Sequence, residues 1–163
     1  MKARNAVVLV LALAGILIAA QYYADDPVSE SAELVISFEP DNIGVVSLGR
    51  QIYDQNCASC HGFDLEGELS WRQRKKNGRF PAPPHDEFGH TWHHTEDVLF
   101  NITKYGPAAL IGDPTYQSDM PAYNDILSDT EIVAALSYIK SRWPDNIRKK
   151  HDAITAANEK QNQ

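Results

Sequence analysis

The segment Cys57-Ala58-Ser59-Cys60-His61 constrains this chain more than any other. Two thiols lie two residues apart and an imidazole follows directly, which is the pattern of covalent haem attachment. That spacing lets both thiols reach the two vinyl groups of one porphyrin and close thioethers. It also sets the next side chain, His61, under the iron as an axial ligand. A chain tied in this way has to build its core around one flat, apolar haem. A C-x-x-C has three other common uses. A pair of cysteines in an exported protein is ordinarily a disulfide. A thioredoxin-like motif follows a strand and opens a helix, whereas this one ends a helical pattern. A structural zinc site wants two further ligands, and the chain has no second C-x-x-C.

A haem iron with His on one face takes a Met thioether on the other in the usual electron-transfer arrangement, which raises the reduction potential. The chain has two methionines, Met1 and Met120. Met1 lies outside the expected domain, so Met120 reads as the second axial ligand. It sits in Ser118-Asp119-Met120-Pro121-Ala122-Tyr123, where Pro121 stiffens the approach of the sulfur.

Helical patterns flank the motif. Val45 to Asn56 reads as a helix with Val45, Leu48, Ile52 and Tyr53 on one face, and Gly49 on that face admits a close neighbour. Thr95 to Tyr105 reads as a second helix, with Thr95 at the N-cap and Glu96 and Asp97 in the first turn. Val98, Leu99 and Ile102 form its apolar face, and Gly106-Pro107 stops it. Ser128-Asp129-Thr130-Glu131 is a capping box opening a helix to about Trp143, with Ile132, Ala135, Leu136 and Ile139 inside. Phe63 to Asp86 reads as a loop with a stiff Pro81-Ala82-Pro83-Pro84 run, and Pro107 to Leu127 as a long loop. Leu34 to Phe38 is β-prone and expected across the domain surface. After Pro144 a polar tail is expected to fray, or to form a solvated helix over 147–157.

At the other end, Lys2 and Arg4 precede an unbroken apolar run from Ala6 to Ala20, the pattern of an export signal. Tyr22 and Tyr23 would suit an uncleaved anchor, so membrane attachment through residues 6–23 and cleavage both stay open. The resulting organisation is 1–24 signal or anchor, 25–44 linker, 45–143 folded domain and 144–163 tail. It places the folded part in the periplasm or on the outer face of the cytoplasmic membrane. The net charge is −7. Losing Lys2 and Arg4 takes Lys+Arg from 15 to 13 against 22 Asp+Glu, or −9. Such a surface lacks the basic footprint that nucleic acid requires, and no nucleic-acid partner is expected.

The run Gly49 to Gly62, the Met120-Pro121 loop and the capped helix with Tyr138-Ile139 together resemble class I c-type cytochromes, over about Val45 to Trp143. The resemblance implies an all-α, cytochrome c-like domain wrapped around one haem c, in a crevice with one edge exposed. It implies a tight crossing of the first and last helices, with Gly49 and Tyr53 meeting Leu136 and Tyr138. It also implies a proline carbonyl that orients the proximal His, with Pro81, Pro83 and Pro84 as candidates. Pro83, Trp92 and Tyr123 are the further candidates for haem contact.

The stretch between His61 and Thr95 is longer, more basic and richer in histidine than in the simplest members. His85, His90, His93 and His94 would suit copper or zinc, replace Met120 at the iron, or bond haem propionates and each other. Arg72, Arg74, Lys75, Lys76 and Arg79 read as a solvated loop or a patch for an acidic redox partner. The function expected is a non-enzymatic single-electron carrier between a redox donor and acceptor, or a cytochrome subunit. The competing readings are a five-coordinate haem enzyme or gas sensor, and a periplasmic metal-handling protein using the His85–His94 cluster.

Overall fold

The computed structural model describes residues 36–113 and 115–161. The segment expected at 1–24, and residues 25–35 of the expected linker, lie outside the described residues. Among the described residues the regular structure is helical, with no strand. No helix among them is long and apolar enough to cross a membrane.

Helix α1 spans Ile43–Asn56, two residues earlier than its apolar pattern predicts. Asn42 sets the start: its side-chain oxygen accepts from the Gly44 and Val45 amides, so two otherwise orphaned donors are paired. The inward face is Gly49, Ile52 and Tyr53, with Val46 packed against the core. Leu48, expected inside, is 39% exposed. A face centred on Gly49 turns Leu48 outward. That centre is dictated by helix α5, Asp129–Ser141. A methyl group on Gly49 would lie 1.9 Å from the Ala134 carbonyl oxygen, so only glycine permits this backbone approach. Tyr53 and Tyr138 pack beside the crossing with ring centroids 5.5 Å apart.

The expected capping box opens α5, with Ser128 and Glu131 each bonding the other's backbone amide. Burial goes well beyond one stripe, since every residue from Ala134 to Lys140 is buried. Polar residues supply part of the cover. Helix α3, Glu96–Tyr105, starts after Thr95 as expected, but the Thr95 hydroxyl pairs with the Asp97 carboxylate instead of capping an amide. Glu96 is buried, and its two oxygens accept from Lys140 Nζ at 2.7 Å and from the Phe38 amide at 2.8 Å. Phe38 therefore does not lie across the surface as a strand. It enters the core in irregular extended backbone, and Glu39 donates its amide to the Ser137 hydroxyl at 2.9 Å.

Two further differences concern loops. Gly106 does end α3, but Pro107 then occupies the first turn of a short helix, α4, Pro107–Ile111. Pro at that position has no intrahelical amide to lose. The stretch after Pro144 takes the helical alternative and not the frayed one, and is longer and less solvated than expected. It forms α6, Asp145–Gln161, with Ile147 and His151 buried. The His151 ring stacks on Phe38 and meets Trp143 edge-on. Lys150 lies over the Trp92 ring in the adjacent 3-10 turn, Thr91–His93.

Candidate functional site

Helix α1 runs into a one-turn helix, α2, Ala58–His61, which carries the motif. Two tyrosine hydroxyls hold its ends. Tyr53 donates to the Gly62 carbonyl at 2.9 Å, and Tyr123 donates to the Asn56 carbonyl at 2.7 Å. Burial keeps both phenols protonated and donating, and that of Tyr123 is pushed up to about 12 by burial and the nearby thiols. Cys57 and Cys60 are free thiols, half-buried and exposed respectively. Burial first, and Cys60 second, push the Cys57 thiol up to about 11.

His61 is 7% exposed. Its Nδ1 lies 2.8 Å from the Pro83 carbonyl. A carbonyl only accepts, so Nδ1 carries the proton and Nε2 keeps a free lone pair. Burial lowers the His61 pKa, against a smaller raising effect of the Pro83 bond, so the ring is neutral. Of the three prolines, Pro83 occupies this place because backbone contacts fix its loop. Gly67 donates its amide to the His61 carbonyl at 2.8 Å. Glu68 donates to the Ala82 carbonyl, and His85 to that of Leu65. Gly67 has φ +69, and a Cβ there would meet the Pro84 nitrogen at 2.5 Å. The close approach and the left-handed backbone both demand glycine.

The histidines do not converge on one point. His85 stacks on His61 with ring centroids 4.0 Å apart and reaches the Thr91 hydroxyl through Nδ1. Burial and the neighbouring imidazoles hold it neutral. His93 stacks on Trp92, and His90 stacks on Trp71 and meets His94 edge-on. Trp92 also donates its ring N–H to the Glu87 carbonyl at 3.2 Å.

Met120 is partly buried against the core, with its amide on the Ser118 hydroxyl at 3.0 Å. The next tether follows at Tyr123, whose amide faces the Thr103 and Lys104 carbonyls. On the other side Asp119 pairs with Lys75 at 3.5 Å and with Arg79. Two members of the basic run are therefore engaged with Asp119. Two others lie on aromatic rings, Arg72 over Trp71 and Arg74 over Phe80. Sequence reasoning missed the Asp119 contact, and no local signal points to it across 40 residues.

The residues present fit a covalently held haem. Two thiols and a neutral imidazole with one bare nitrogen, all within residues 57–61, are donors such a group can use, and Met120 offers a thioether. Phe63, immediately after the motif, is 66% exposed and offers an apolar surface beside it. A family model described as Cytochrome c matches residues 46–143. Comparison with curated proteins and with solved structures finds no match.

Proposed function

The chain belongs to the cytochrome c family, and on that premise we propose that Cys57 and Cys60 hold one haem c, that His61 and Met120 are its axial ligands, and that the protein exchanges single electrons with larger redox proteins. Members of this family bind covalently attached haem c and serve in electron transfer. The bound haem supplies the one-electron couple of its iron. The chain supplies attachment, orientation and burial. The observation that carries the reading is the 2.8 Å contact between His61 Nδ1 and the Pro83 carbonyl, which fixes the tautomer a metal ligand needs and raises its basicity. Tyr53 and Tyr123 keep the motif turn in register with that imidazole. With His61 and Met120 both holding the iron, no position would be left open for a gas or substrate. Trp92 and Tyr123 remain candidates for haem contact.

The apolar run at residues 6–20 supports export, with the domain in the periplasm or on the outer face of the cytoplasmic membrane, free or anchored. An acidic chain carrying a local basic run suits steering toward complementary donor and acceptor surfaces.

The test is the visible spectrum of the haem-loaded protein, oxidised and reduced. Low-spin bands with the weak red sulfur-to-iron band in the oxidised form are expected. A high-spin spectrum that shifts at once with carbon monoxide would replace the carrier with an open-iron enzyme or gas sensor. Stoichiometric copper or zinc beside the iron, lost on replacing His90 and His94, would add a metal-handling role.

A further inference from the structure

The geometry points to Asp119 as the positioning residue for Met120, latched by the ammonium of Lys75 and the guanidinium of Arg79. This inference rests on Met120 being the sixth ligand. It concerns what holds that ligand in place.

The Met120 loop is tethered unequally at its two ends. After Met120, the amides of Tyr123 and Asn124 bond α3 carbonyls, and the Tyr123 hydroxyl bonds Asn56. Before it, the hydrogen bonds of the described residues 115–120 other than that of the Asp119 carboxylate with Arg79 are local, reaching Asp113 and Ser118. The long-range contact on that side is Asp119 with Lys75 and Arg79. All three side chains are 35–40% exposed. A lone pair this exposed contributes little, but this one belongs to a chain of charges. Lys75 also bonds Glu68 Oε2 at 3.1 Å. The same oxygen accepts the Ala82 amide at 2.6 Å, next to Pro83. One ionic path therefore joins the residue before Met120 to the residue before the carbonyl that holds His61.

Such a latch makes ligand retention sensitive to salt, because exposed charges are screened over about 3 Å at about 1 M salt against about 30 Å at about 0.01 M. A neutral hydrogen-bonded tether would not respond in this way.

The experiment uses the full haem-loaded chain and its Asp119→Asn, Asp119→Glu and Arg79→Gln variants. The red sulfur-to-iron band and the far-ultraviolet helical signal are followed in urea, and carbon monoxide binding is timed on the reduced protein. In Asp119→Asn and Arg79→Gln, carbon monoxide binding should accelerate roughly fivefold, the scale of an exposed ionic network. The band should vanish at lower urea while the helical midpoint barely moves. Asp119→Glu should behave as the parent, and about 1 M salt should carry the parent toward Asp119→Asn. A parent with no sulfur band would sink the Met120 assignment itself. A parent with the band, but unchanged band midpoints and carbon monoxide rates in both variants, would overturn the latch alone. Band and helix midpoints falling together would also overturn it, because Asp119 would then support the fold and not the ligand.

Discussion

His61 and Met120 stand in differently built surroundings. Around His61 most tethers are backbone groups and a neutral hydroxyl, namely the Pro83 carbonyl, the Gly67 amide, the Leu65 carbonyl and the Tyr53 phenol, with the Glu68 carboxylate on the Ala82 amide as the charged exception. Around Met120 one side is held by the Tyr123 and Asn124 amides and the other by Asp119 and two cations. Backbone tethers survive side-chain substitution and ignore salt, whereas ionic tethers do neither. One side is thus fixed mainly by the course of the chain, and the other mainly by groups that can be exchanged singly.

The largest expected effect separates the two sides directly. His61→Ala should lower haem content of the purified protein roughly tenfold or more, read from the reduced haem absorbance per chain. Met120→Ala should keep its haem and bind carbon monoxide at once. Retained haem in His61→Ala with lost haem in Met120→Ala would reverse the comparison. Next, Met120→His should keep the helical signal and lower the potential by on the order of a few hundred millivolts, measured by redox titration. An unmoved potential would mean Met120 is not a ligand. Gly67→Ala attacks the backbone side. Its left-handed φ and the clash with Pro84 should cost about 2–3 kcal/mol in urea unfolding. An unchanged midpoint would show that the Pro83 loop is looser than its contacts imply.

The smallest effect lies away from both ligands. His151 is fully buried and neither ring nitrogen has a well-formed hydrogen bond, the His94 carbonyl being the nearby acceptor. Burial, then Lys140, lowers its pKa from 6.5 to about 4, against raising effects of Asp152 and the His94 carbonyl. The unfolded chain then binds the proton first as pH falls. The contribution of His151 to stability should be level above about pH 6.5 and drop by roughly 1–2 kcal/mol between pH 7 and 5. His151→Phe should remove that share of the slope without altering the visible spectrum. A spectral change would tie α6 to the ligands after all.

Much of this was legible from local signals. The motif, the Ser128 capping box and Gly49 each act through near neighbours or through a backbone demand that one residue type meets. The boundaries of α3 and α5 followed for the same reason. What stayed hidden depends on pairing across the chain. Hydropathy treats Glu96 and Lys140 each alone, whereas their burial is tolerable only because they meet each other. Phe38 belongs to a β-prone stretch that reads as lying across the surface, and it enters the core because Glu96 accepts its amide and Ser137 accepts that of Glu39. The order of Pro81, Pro83 and Pro84 around His61 depends on the Gly67 turn. Asp119 offered nothing in its own neighbourhood to distinguish it from a solvated carboxylate.

The contact at Gly49 also bears on how the molecule is made. It joins a residue just before the motif to Ala134, near the far end of the matched region, so the contact that closes the domain is among its longest in sequence. Closing a contact of that span costs the entropy of a long loop. Until it closes, Cys57 and Cys60 sit on a chain that is still open, where a bulky planar group can reach both thiols from either side. Once the Ala134 carbonyl settles against the bare α-carbon of Gly49, the helices have no room left to part by a methyl group, and closure traps whatever has been attached.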